Sequence, residues 1–383
     1  MPGKKVLVLG GGFGGVAAAR TARSMLDASH DVTLIDRNRL THLCGANPLL
    51  IVGEREPAQT GRSLGRLANR GINFVEADIQ HIDTAGRSVA TSSGTFDYDY
   101  LVVALGADYD WDAVPGAREA YSFYGFDEAR RLRRRLSRFQ RGRIVIAVAG
   151  MPIKCPPAPF ETAMVLNWAF RRRGTRSDVN IHVFIPEPAP LGVAGPEAGV
   201  QLRKDLDDRG IALHTGAAAR EVDASGREVT FSDGSSMRAD LVVTVPVHRL
   251  PRVVAESGMA GDRPWIPVAP ATLETRTTDV FAIGDVNMVP TGEGRAIPKA
   301  GVFASGEGET VGRLITSRIN ETEPPAPYDG TGHCFLAYSG TQSALVGGTF
   351  LAEGGPQVSV TRPTPSGMLR KERFEQDWRR FRI

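Results

Sequence analysis

A chain of 383 residues with 42 % hydrophobic and 23 % charged side chains has an ordinary globular composition, long enough for two domains and a core that needs no staples. The net charge of +3 makes no case for nucleic acid, and no apolar run approaches the roughly 18–20 residues that cross a bilayer. Three cysteines, far apart, form neither a disulfide framework nor a CxxC-type site, so no metal is expected.

The chain opens on a strand, KKVLVLG (4–10), a glycine turn, a helix through Ala17–Ser24 and a second strand, DVTLIDR (31–37). The basic, apolar, small-residue start has the outline of a signal peptide, but cleavage there would remove the turn. Gly10, Gly12 and Gly15 stand in GxGxxG register, with Phe13 and Gly14 inside it, and Asp36 followed by Arg37 ends the second strand. Glycines let backbone approach a pyrophosphate, the helix N-terminus offers it free N–H groups, and an acid at the next strand end accepts ribose hydroxyls. An adenine dinucleotide is expected here, and Ala77, Ala104 and Gly106 are expected at the same edge.

Strand patterns follow at 72–78, 87–92 and 98–107, the last running into ALGAD (104–108) and then VPGA (114–117). Residues 126–143 read as a basic helix with Asp127 as N-cap, either a solvated helix or a surface for an anionic partner. RIVIAVAG (143–150) is a buried strand that runs into GMPIKCPPAPFE (150–161). In a second dinucleotide fold a glycine loop belongs there. Pro152 stands at the second glycine's place and has no N–H to give a phosphate, so efficient use of a pyridine nucleotide is not expected. Strands at 180–187, 211–223, 227–234 and 239–247 and a helix at 196–210 continue the α/β alternation. TTDVFAIGDV (277–286), a helix at 300–317, a proline-rich linker at 321–330 and strands at 333–338 and 344–351 complete the pass.

GxGxxG with Asp36, the ALGAD turn and TTDVFAIGD (277–285) together resemble the flavin signature of two-dinucleotide-fold, disulfide reductase-like flavoproteins. The resemblance implies an α/β fold with two Rossmann-like domains, the second inserted in the first. It places an FAD domain at 1–117 and 246–320, a second domain at 118–245 and a C-terminal region at 321–383. It also implies that Gly284 and Asp285 contact FAD. KCPPAPFE (154–161), paired with a late cysteine in YDGTGHCFL (328–336), resembles the sulfide:quinone oxidoreductases and the flavoprotein subunit of flavocytochrome c sulfide dehydrogenase.

That resemblance implies a redox pair, Cys155 and Cys334. Hydrosulfide would open their disulfide, Cys155 would keep a persulfide, and Cys334 would leave as a thiolate against the flavin. Lys154 could attract the anion, or be a plain surface lysine. Glu161 could move protons beside the thiols, or serve as a helix-start carboxylate. Lys299, in PKAG (298–301) ahead of Gly301, would balance negative charge on reduced flavin. Cys44, in HLCGANPLL (42–50), resembles the thioether site of the flavocytochrome subunit, and Asn47 the S-N-P turn of the quinone enzymes. Covalent FAD through Cys44 and a free thiol both stay open.

In RKERFEQDWRRFRI (370–383) Phe374, Trp378 and Phe381 share one helix face with arginines and Lys371 around it. Either the face lies on a membrane surface or it docks on the protein. Phe303, Phe335 and Tyr338 are aromatic candidates near the flavin. The expectation is an FAD-dependent sulfide:quinone oxidoreductase, peripheral at the cytoplasmic face of a membrane, with sulfide and a quinone as partners. A cytochrome c partner, a type II NADH dehydrogenase-like activity, a flavin–thiol sensor and a homo-oligomer are its alternatives.

Overall fold

A computed structural model describes residues 3–292 and 295–382. Five parallel strands form the first sheet, in the order Val280–Ala282, Tyr100–Val103, Lys5–Leu9, Asp31–Asp36 and Asn73–Glu76. They are near-continuous apolar runs because helices and loops cover both faces, and Val8, Leu9, Leu34, Ile35, Leu101 and Val102 are fully buried. The helices Phe13–Met25 and Gly301–Ile319 lie against each other through small residues. A Cβ on Gly308 would stand 2.3 Å from the Gly14 carbonyl oxygen, so no larger residue fits that crossing.

The second sheet, also parallel, runs Ile211–His214, Val179–Phe184, Gly142–Val148 and Leu241–Val245. Its strands all fall between the fourth and last strands of the first sheet, as an inserted second unit requires. Asp108–Asp110 pairs antiparallel with Val247–Arg249 and joins the two units. The strand expected at 211–223 divides. Ile211–His214 stays in the parallel sheet, while Ala219–Val222 turns into a three-stranded antiparallel one. The basic helix spans Phe126–Leu136 and is capped at Gly125, not at Asp127, which sits in the first turn 3.2 Å from Arg130.

Beyond the linker, Thr331–Ala337, Ser343–Thr349 and Gln357–Val360 form an antiparallel sheet. The last helix spans Pro365–Arg379, starting before the predicted Arg370, with the Thr364 hydroxyl accepting the Gly367 N–H. Ile383, the end of the predicted tail, lies outside the described residues. The aromatic face of this helix packs on the protein. Trp378 is 1 % and Phe381 3 % exposed, and the Arg62 guanidinium stacks at 4.2 Å and 4.5 Å from their ring centroids. Leu43, Ala46 and Phe13 complete the contact. The membrane-surface reading of that face is therefore corrected: its rings find apolar and cationic partners within the chain. Lys371, read among the basic residues around that face, is buried too. Among the described residues no helix is long and apolar enough to cross a membrane.

Candidate flavin and thiol site

The C-terminal ends of the first sheet's strands open onto a cavity of about 790 Å³, within the size range of cofactor sites. Gly10, Gly12, Phe13 and Gly14 form its floor, and Asp36, Arg37 and Ala77 one end. Ala104, Gly106, Gly284, Asp285, Lys299 and Gly301 line its length, and Cys44, Lys154 and Cys155 stand on its wall.

Two expected residues lie behind this surface. A Cβ on Gly15 would fall 1.9 Å from the Gly10 carbonyl oxygen, so this glycine closes the turn on itself. Asn47 is 2 % exposed and its Nδ2 donates to the Phe123 carbonyl at 2.8 Å, tying the Cys44 turn to the second unit. Both are corrected from cofactor contact to support of the wall. Thr41, His42 and Gln80 line the cavity without having been expected, since no motif marks them.

The donor set fits a dinucleotide. Gly10 adopts φ +103°, pressed against the Ala104 carbonyl, where only glycine sits without strain. A Cβ on Gly12 would meet nothing within 4 Å, so the backbone there faces open space. The helix Phe13–Met25 has no side-chain cap, which leaves its first N–H groups for an anion. Asp36 accepts the Gly11 and Asn38 N–H groups, each at 2.7 Å, which holds the turn and the strand end together. A carboxylate has further lone pairs for a ribose.

Cys155 is held in the left-handed region at φ +51°, its N–H donating to the Lys299 carbonyl at 2.7 Å and its own carbonyl accepting from Ala158 at 2.8 Å. Pro156 and Pro157 lead straight into the helix Ala158–Arg172, a position where a missing N–H costs nothing. Cys334, on the strand Thr331–Ala337, does not line the main cavity. It lines a small apolar pocket that Pro156, Pro157, Pro298 and Phe303 share. Both thiols are free. Burial pushes Cys155 well up, with Cys334 and Glu161 adding to it and Lys371 opposing. Burial likewise pushes Cys334 up to about 12. Cys44 opens onto the cavity, yet its protein surroundings also raise it, against Lys154.

Glu161 is off the cavity wall and 1 % exposed. Its Oε1 accepts the Ala337 N–H at 3.2 Å and lies 3.4 Å from the Lys371 ammonium. Lys371 also donates to the Gly45 carbonyl at 2.9 Å. Burial raises Glu161 in spite of that cation, while Lys371 stays protonated because Glu161 and Glu375 outweigh its own burial. The last helix thus delivers a cation to the acid beside the thiols. Lys299 donates to the Asp285 and Asn287 carbonyls at 2.7 Å and 2.8 Å and stacks 3.6 Å from the Trp265 ring centroid. Two of its three N–H bonds are therefore committed to the protein. Of the aromatic candidates, Phe303 lines the Cys334 pocket, Phe335 packs on Phe374 and Tyr338 bonds Asp205.

Residues 4–308 match the family described as pyridine nucleotide-disulphide oxidoreductase. The chain is 22 % identical to the mitochondrial sulfide:quinone oxidoreductase of Mus musculus over 346 residues, 87 % of this chain and 75 % of that one. It is 24 % identical to the type II NADH:quinone oxidoreductase of Staphylococcus haemolyticus over 339 residues, 83 % of each. The solved sulfide:quinone oxidoreductase of Aquifex aeolicus shares the fold with a TM-score of 0.87 at 23 % identity, covering 99 % of this chain and 92 % of that one. With a dinucleotide cavity built from the residues that define such sites, the chain belongs to the pyridine nucleotide-disulphide oxidoreductase family and is an FAD-dependent oxidoreductase.

Proposed function

We propose that the enzyme oxidises sulfide at Cys155 and Cys334 and delivers the electrons to a quinone. The observation that carries the reading is the placement of Cys155. Its loop occupies the position of a second phosphate site, yet the residue stands on the flavin cavity wall, with Cys334 next to Pro156 and Pro157 behind it. The similarity to sulfide:quinone oxidoreductases supports the same donor and acceptor. FAD, when bound, takes two electrons from the thiol side and passes them to an acceptor.

The chain's own residues account for the sulfur steps. In the oxidised enzyme, where the two thiols would be joined as a disulfide, hydrosulfide attacks at Cys155; the new S–S bond makes a persulfide there, and Cys334 leaves as a thiolate. The apolar setting that pushes Cys334 up to about 12 makes that thiolate a high-energy, strongly reducing group. Glu161, whose charge would raise both thiols, is assigned the role of taking and returning their protons. The left-handed backbone at Cys155 and the prolines after it fix the sulfur without help from a flexible loop. A thioether from Cys44 to the cofactor is the finer reading of the third thiol, which opens onto the same cavity. A quinone acceptor requires reach to a membrane, and the outer face of the last helix, where Leu369 is 65 % exposed beside Arg370 and Arg373, is the face left for that contact.

One observation favours a second reading, oxidation of NADH. Glu187 follows the second strand of the second sheet, a position equivalent to that of Asp36 in the first. Anaerobic stopped-flow separates the two. Sulfide is expected to bleach the flavin rapidly and NADH slowly, and Cys155→Ser or Cys334→Ser should abolish bleaching by sulfide. Rapid bleaching by NADH, or sulfide bleaching unchanged in both variants, overturns the proposal.

A further inference from the structure

The helix Gly301–Ile319 carries a buried carboxyl that the sulfur chemistry leaves unused. Glu307 is 2 % exposed. Its Oε2 accepts the Gly284 N–H at 2.5 Å and the Asn287 side-chain amide at 2.9 Å. Lys299 grips the same segment through the carbonyls of Asp285 and Asn287. The turn Gly284–Val286, with Asp285 on the cavity wall, is thus held by one acid and one base, both out of water.

We propose that Glu307 is a positioning residue for the Asp285 turn and that its carboxyl takes up a proton from solvent when reduction adds negative charge to the flavin cavity. The charged or titratable groups facing it are Asp285, Lys299 and Tyr328. Burial pushes Glu307 up to about 8, against its two hydrogen bonds, and pulls Lys299 down to about 8. The carboxyl is therefore poised close to neutrality. Added negative charge disfavours the carboxylate and raises it further. Below about pH 8 the acid is already protonated and nothing moves; between there and the higher value of the reduced state, reduction draws in a proton. Electrons come from the reductant and stay on the cofactor, while this proton comes from water and stays on Glu307. Lys299 responds in the same sense, so the test removes Glu307 and keeps Lys299. The inference needs bound flavin only, and failure of the sulfide reading leaves it untouched.

Glu307→Gln keeps an oxygen for the Gly284 N–H and removes the titration. Midpoint potentials of the wild-type and variant holoenzymes, equilibrated anaerobically with reference dyes, are compared across the range above pH 8. The wild-type potential should fall more steeply by about 30 mV per pH unit, the tenfold change per pH unit that one extra proton brings to a two-electron couple. Parallel lines overturn the proposal. Should the variant lose its flavin, infrared difference spectra of the wild type on photoreduction report the carboxyl directly, since an ammonium has no C=O band. A protonated-carboxyl band gained at about pH 9 and not at about pH 7 supports the coupling, and no gain at about pH 9 overturns it.

Discussion

Replacing Lys371 by Met tests the ion pair behind the thiols. Met keeps the apolar stem's packing and deletes the charge. Glu161 is left buried with only the Ala337 N–H, and such a carboxylate protonates rather than remain charged. An ordinary glutamic acid titrates near 4.5, so neutralising it at pH 7 costs about 3.4 kcal/mol, two and a half pH units at 1.36 kcal/mol each. Burial already holds Glu161 above that value in the parent protein, which makes this figure a ceiling. Losing the hydrogen bond to the Gly45 carbonyl adds about 1 kcal/mol at any pH. The sign follows from the raised value. A carboxyl raised in the folded state contributes its full stability below the unfolded value and loses it as pH rises through the folded one. Without Lys371 the folded value moves higher, and the loss continues through neutrality. At pH 5 the carboxyl's share is at most about 0.7 kcal/mol. Urea unfolding at the two pH values should therefore show a deficit larger at pH 7, by up to about 2.7 kcal/mol. Adding Glu161→Gln should erase the pH dependence. A deficit equal at pH 5 and pH 7 refutes the argument.

Trp378→Ala removes a ring that is 1 % exposed and stacked on Arg62, and should cost about 3–5 kcal/mol in urea unfolding. Weaker sedimentation with anionic vesicles at unchanged stability would instead mark the ring as a lipid contact. The third prediction concerns Cys44: the denatured protein should carry the mass of one flavin, and Cys44→Ser should abolish that addition while flavin still binds the native fold. A denatured mass equal to that of the polypeptide alone refutes the thioether.

Local chemistry made the glycine turn, both parallel sheets and about half of the cavity residues legible, because short apolar strands, GxGxxG and an acid at a strand end are read from neighbours in sequence. What covers a face is not a local property. The 3.6-residue period placed Trp378 and Phe381 together, but Arg62, which covers them, lies more than 300 residues away. Asn47 was drawn into the cavity by the motif around it, and only its bond to Phe123 shows that it braces the wall. Glu307 sits in a GEGET stretch with no periodic or motif signal, so its role follows from the fold alone.

The last helix is where these long-range contacts converge. Its 15 residues bring Lys371 to Glu161 and Phe374 to Phe13, whose ring, 5.8 Å away between centroids, lies on the cavity floor. Lys371 also bonds the Gly45 carbonyl, next to Cys44. One element therefore touches the flavin floor, the third thiol's turn and the acid proposed to serve the other two. Undocking it to reach a bilayer would strip the cation from Glu161 and expose Phe13. Membrane contact that preserves the site has to use the helix's outer residues, with its aromatic face kept inside.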